Sequence, residues 1–218
     1  MRKGALIIVV AGLTAAALWG CGGGGGGGSG PGEPGSSGSG DTGVILSATV
    51  QPVYLDTNTS SVDVVRQDDC DGDSTTIDPE PFTDHGAAFT FTARLLNPNT
   101  TFRAGDIFIE KYTIQYRRSQ DSIGAPPIQQ YEAFSTMRIQ APSSDNVVTV
   151  QDSGVLVDLT RKIDYEQALQ SGQFTSGAFG INNYTAIYTF TGQNEFGEDV
   201  ELQAEANFQI GSFDNCQR

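Results

Sequence analysis

The chain has 218 residues, with 26 acidic and 12 basic side chains and a formal net charge of −14. A surface this acidic repels phosphate backbones and anionic headgroups, whose binding rests on Lys and Arg contacts, and this argues against nucleic-acid recognition. One histidine and three cysteines leave little material for histidine-based catalysis or a His/Cys metal site.

The N-terminus opens with Arg2 and Lys3, then runs apolar and uncharged from Ala5 to Leu18. A positive start before a short apolar core is the secretory pattern. At about 14 residues the run falls short of the roughly 20 that span a bilayer as a helix. It ends in Leu18-Trp19-Gly20-Cys21. This tetrapeptide resembles the lipobox of bacterial lipoproteins, with Leu18 at minus three and Gly20 at minus one; Trp19 is bulkier than the usual residue at minus two. The resemblance implies a signal peptide over residues 1–20, cleavage before Cys21, and a diacylglyceryl group on the Cys21 thiol. It also implies the outer membrane as destination, because Gly22 and not Asp follows the cysteine. Whether the chain then faces periplasm or exterior stays open.

Seven glycines follow Cys21, then Ser-Gly-Pro-Gly-Glu-Pro-Gly-Ser-Ser-Gly-Ser-Gly. Such a stretch cannot build a core and has the composition of a flexible linker. Residues 21–42 therefore read as a lipidated cysteine and tether, with a typical end-to-end distance of roughly 25 Å and a taut limit near ~75 Å. Without Arg2 and Lys3 the remainder carries 10 basic and 26 acidic residues, a net charge of −16.

Residues 43–218 read as a single domain, long enough to bury a core. Period-two alternation predicts its strands in turn. Leu46, Ala48, Val50, Pro52 and Tyr54 share one face, with Pro52 marking an edge strand or bulge. A short strand follows at Val62-Asp63-Val64. Next comes an acidic segment, Asp68-Asp69-Cys70-Asp71-Gly72-Asp73, then Asp78, Glu80 and Asp84. Carboxylates at every second position can converge on Ca²⁺, so Asp69, Asp71 and Asp73 are the candidate ligands of a possible calcium site. The pattern departs from an EF-hand loop, because Gly72 sits between the second and third acids and no Glu closes the loop. A solvated acidic turn is the competing reading.

Alternation resumes at Ala87-Phe89-Phe91-Ala93-Leu95, at Tyr112-Ile114-Tyr116 and at Tyr131-Ala133-Met137-Ile139. Two shorter runs, Val148–Val150 and Val155–Leu159, come next. A helix is expected around Tyr165 to Gln170, capped by Asp164, with Gln167 at the capping-box position and Gly172 as its stop. Ala186, Tyr188 and Phe190 lead to the clearest strand, Val200 to Ile210, where every even position is apolar. Strands joined by short turns, with one helical connection, argue for a sandwich and not a parallel sheet. The last hairpin, from Tyr184 through Gly197 to Leu202, resembles the closing strands of bacterial immunoglobulin-like domains over about 30 residues. The expected fold is thus an all-β, immunoglobulin-like antiparallel sandwich with one short helix.

With Cys21 lipidated, Cys70 and Cys216 form an even pair in an oxidising compartment and are expected to form a disulfide. His85 lies beside Asp84 but has no nucleophile motif for company, so it reads as a turn histidine without a catalytic part. No haem-attachment, zinc or phosphate-loop spacing occurs in the sequence. The expected role is non-catalytic: a membrane-anchored protein acting by protein–protein or surface interaction, as an accessory subunit of an envelope assembly. The alternative is a calcium-dependent module that binds polysaccharide or another surface ligand. No other cofactor is expected.

Overall fold

The computed structural model describes residues 35–36, 43–55, 57–65, 67–68, 78–79, 82–97, 104–143, 146–175 and 180–213. They fold as two packed β-sheets and one helix. The first sheet has the order β1-β2-β6-β9, from β1 (Gly35–Ser36), β2 (Val44–Val53), β6 (His85–Leu95) and β9 (Val148–Val157). The second has the order β3-β11-β10-β7-β8, from β3 (Ser61–Asp63), β11 (Asp199–Gly211), β10 (Asn182–Asn194), β7 (Ile107–Arg118) and β8 (Tyr131–Ile139). A two-residue ribbon, β4 (Gln67–Asp68) with β5 (Asp78–Pro79), stands apart. The chain passes repeatedly between the sheets, although β7–β8 and β10–β11 pair within one, and β3 runs parallel to β11 while the other pairs are antiparallel. This is the all-β sandwich with one short helix expected from the alternation, with one parallel pair in an otherwise antiparallel arrangement.

The pleat explains which side chains fill it. In β11, Val200, Leu202, Ala204, Ala206, Phe208 and Ile210 are all buried, and the intervening residues face outward. In β6, Ala87, Phe89, Phe91 and Ala93 do the same. Phe89 is the centre of the core, with Tyr112, Tyr188 and Phe190 ring centroids 5.3, 5.4 and 5.1 Å away, all edge-on. Such edge-to-face pairs add about 0.5–1.5 kcal/mol each beyond the area they bury. Close approach here requires a glycine: a Cβ on Gly154 of β9 would lie 2.4 Å from the Phe89 ring.

Two irregularities hide from a simple period. In β7 the buried positions pass from Ile107 and Ile109 to Tyr112 and Ile114, because the register with β8 shifts between Ile109 and Lys111. The two short runs expected over 148–159 are one strand, β9, bulged where His85 faces Val157 and Gly86 faces Val155. The bulge leaves backbone groups off the ladder, and tyrosines from the other sheet satisfy them. Tyr116 donates to the Leu156 carbonyl at 2.7 Å and Tyr188 to the Val155 carbonyl at 2.9 Å, while the Val155 N–H donates to Tyr112 at 3.2 Å. Burial raises the pKa of all three phenols, so they remain neutral, Tyr116 and Tyr188 as donors and Tyr112 as an acceptor.

Helix α1 (Leu159–Gln170) begins five residues before the cap expected at Asp164. Asp158 is the N-cap, accepting from the Arg161 N–H at 3.2 Å, and β9 ends at Val157. Reading 155–159 as strand hid that cap. The stop is where the sequence places it: Gly172 has φ +73°, a left-handed conformation that glycine adopts without strain. The β10–β11 turn likewise has Gly197 at φ +79°, and the Asn194 side chain accepts from the N–H groups of Phe196 (3.0 Å) and Glu198 (2.9 Å).

Candidate binding surface

Cys21, Cys70, Cys216, Asp69, Asp71 and Asp73 all lie outside the described residues. The chain on either side of them is described in part. The β4–β5 ribbon pairs Asp68 with Asp78, bracketing the acidic segment. At the other end, the Phe213 N–H donates to Asp63 of β3 at 3.0 Å. Among the described residues, no three His, Cys, Asp or Glu side chains gather as a metal site. No described helix is long and apolar enough to cross a membrane.

His85 is not a turn residue. It opens β6, is fully buried, and stacks on Tyr54 with ring centroids 5.2 Å apart. Its Nε2 lies 2.9 Å from the Thr59 carbonyl oxygen. Burial, with the nearby Lys162 charge as a lesser cause, lowers its pKa to about 4, against the backbone hydrogen bond that raises it. It is therefore neutral at physiological pH, with its ring closed off from solvent. Lys162 of α1 is also buried, and its Nζ lies 5.1 Å from the ring centroids of both Tyr54 and Phe82. Cation–π contact with two rings offsets part of the cost of burying that charge. Alongside, Arg161 pairs with both Asp158 oxygens at 3.0 Å and lies over the Tyr131 ring. Its Nε donates to the Gln129 carbonyl at 2.8 Å. These groups join α1 to the sheets, and His85 Nδ1 is left buried without a hydrogen-bond partner among the described residues.

A different chemistry covers the outer face of the second sheet. Its outward positions include Asn183, Thr185, Thr189 and Thr191 on β10, Gln203, Asn207 and Gln209 on β11, and Thr113 and Gln115 on β7. At one end of this face an open groove of about 820 Å³ runs across β10 and β11, bordered by the turn after β7. Ser60, Ser119, Gln120, Asp121, Asn183, Thr185, Asn207 and Gln209 supply its polar lining, with Tyr184 and Phe208 at its base side. A second groove, of about 520 Å³, lies on the other side of that turn and is lined in part by Arg117 and Arg118.

The polar side chains of the larger groove hold one another. Asn183 Nδ2 donates to Asp121 at 2.8 Å, and Gln209 Nε2 donates to Asn183 Oδ1 at 3.2 Å. Thr185 donates to Asn207 Oδ1 at 2.8 Å. Buried Ser122 fixes the turn, accepting from the Asn183 N–H at 2.8 Å and donating to Asp121 at 3.0 Å. No Lys or Arg lines this groove. The neighbouring guanidiniums are occupied: Arg118 donates to the carbonyls of Ile123 (2.9 Å) and Ala125 (2.8 Å), and Arg117 pairs with Glu205 at 3.6 Å.

Alternation in the sequence located the face but not the groove, because the turn that makes the concavity comes from Ser119–Asp121, far from β10 and β11 in the chain. No protein-family model matches the sequence, and no curated protein matches it significantly, so the functional argument stands on the fold and this surface.

Proposed function

We propose that the chain is a lipid-anchored, non-catalytic protein of the bacterial cell envelope that acts by protein–protein or surface interaction. The observation that carries this reading is the division of polar groups between inside and outside. The histidine, lysine and tyrosines with chemical potential are buried on structural partners, while the larger open groove presents amides, hydroxyls and a single carboxylate. That division suits recognition of a ligand more than turnover of one.

The anchor rests on the lipobox resemblance at Cys21 and on the glycine tether after it. Two or three acyl chains suffice for stable membrane attachment. A Cys70–Cys216 disulfide belongs to the same proposal: the hydrogen bond from Phe213 to Asp63 brings together chain segments that lead to both cysteines. Mass mapping without reductant should find those two residues in one cross-linked peptide.

Fractionation tests the whole. The wild-type chain should enter the membrane and detergent phase lacking residues 1–20, and Cys21→Ser should stay uncleaved and unlipidated. Equal partitioning of both with identical N-termini would remove the anchor. Affinity capture from solubilised membranes that returns no stable partner counts against the assembly role.

A second reading, a calcium-dependent ligand-binding module, is favoured by the ribbon that sets Asp68 opposite Asp78 at the base of the acidic segment. Calcium should then raise the melting temperature reversibly, an effect lost in Asp71→Ala; indifference to calcium ends that reading.

A further inference from the structure

We propose that the groove across β10 and β11 is a binding site for a neutral saccharide chain. The inference rests on the reading of the protein as a binding module and names the ligand class of its larger groove. At about 820 Å³ the groove falls within the roughly 300–1,000 Å³ typical of small-ligand sites.

Charge selects against the other polar ligands. Asp121 is the one carboxylate of the lining, it already accepts from Asn183 and Ser122, and among the described residues no Lys or Arg lines the groove. A phosphate, sulfate or uronate would find no counter-charge here and would meet the net negative chain. A cationic ligand would find only this one carboxylate, already hydrogen-bonded twice.

Backbone availability selects against a peptide. Peptides bind sheets by adding to a free edge. Beneath this groove, β10 is paired on both sides, by β11 and β7, over Tyr184 to Thr191, while β11 is paired by β10 from Asp199 to Ile210 and by β3 from Gln209 to Gly211. Over β10 the floor of the groove therefore offers side chains and not a strand edge. The two aromatic residues of the lining, Tyr184 and Phe208, are buried with their rings stacked on each other at 5.7 Å, so an apolar anchor residue would find no pocket.

What remains is a set of neutral donors and acceptors. Each amide nitrogen carries two hydrogens, and Asn183 and Gln209 each use one in the bonds described above. Asn207 accepts through Oδ1, which leaves its NH₂ for a ligand. Ser60, Ser119 and Gln120 add hydroxyls and a further amide. The mutual bonds hold these rotamers before a ligand arrives, which lowers the ordering cost of binding. A hydroxyl-rich, uncharged chain matches that array.

The test uses the full chain purified in detergent, titrated calorimetrically with neutral tetrasaccharides of glucose and of N-acetylglucosamine and with a uronic-acid tetrasaccharide. At least one neutral sugar should bind and the uronate should not. Asn207→Ala and Gln209→Ala should each weaken binding about tenfold, as the loss of one to two hydrogen bonds implies. Gln203→Ala, outward on the same strand but outside the groove, should leave affinity within about twofold. Failure of both neutral sugars to bind overturns the proposal, as does equal binding of the uronate or equal loss in Gln203→Ala. The anchor plays no part in this readout, so a negative result here and a negative fractionation result remain distinct.

Discussion

Beneath helix α1 and in the groove of the second sheet, the same fold treats polar side chains in opposite ways. Under the helix, His85, Lys162 and Arg161 are packed against rings, carbonyls and a carboxylate. On the outer face, Asn207 and Gln209 bond to neighbours through one side-chain atom and Asn183 through two, and each keeps amide hydrogens for solvent. The first arrangement converts polarity into stability, since a buried group that loses its partner costs about 1–3 kcal/mol. The second leaves stability nearly indifferent to those residues and reserves them for recognition. Substitutions should separate the two regions by what they change.

The largest effect is expected at the core they share. Phe89→Ala removes the ring that Tyr112, Tyr188 and Phe190 surround and should cost about 3–5 kcal/mol in urea unfolding. A cost below about 1 kcal/mol would mean that the core is not centred there.

Next comes a pH effect confined to the helix end. The pKa of His85 is about 4 in the folded protein, against 6.5 for an unperturbed histidine. Between these values the unfolded chain binds the proton more readily, so stability falls as pH drops from 6.5 towards 4 and levels off below. The loss attributable to His85 should reach roughly 3 kcal/mol. His85→Phe keeps a ring beside Tyr54 and should flatten that part of the stability–pH curve; an unchanged slope would show that His85 does not carry it.

Asp158→Ala should cost about 1–2 kcal/mol by removing the N-cap of α1 and the partner of Arg161. This residue also shows where sequence reading reaches its limit. The strands were legible because pleating repeats every two residues and one face is wet, as in Val200 to Ile210. The start of α1 was not, because Val155-Leu156-Val157-Asp158-Leu159 satisfies a strand pattern while Asp158 caps a helix, and only tertiary contact decides. The bulge in β7 broke the period between Ile109 and Tyr112, so the buried Ile107 and Ile109 fell out of phase with the strand that was recognised. His85 looked like a turn residue because its burial depends on Tyr54 and Lys162, which come from distant segments. The groove was invisible for the same reason: its ridge and its floor are separated by more than sixty positions, as the bond from Asn183 to Asp121 shows.

The smallest stability effect is the one that most sharpens the comparison. Asn207 is exposed and bonded only to Thr185 among the described residues. Its replacement by alanine should change unfolding free energy by no more than about 0.5 kcal/mol, the usual range for a surface position. If stability holds while saccharide affinity drops about tenfold, the outer face is set apart from the scaffold in energetic terms. If Asn207→Ala instead destabilises the fold by 2 kcal/mol or more, the Thr185–Asn207 bond is part of the sheet's own support, and the distinction between a spent interior and an available exterior fails at the residue where it should be cleanest.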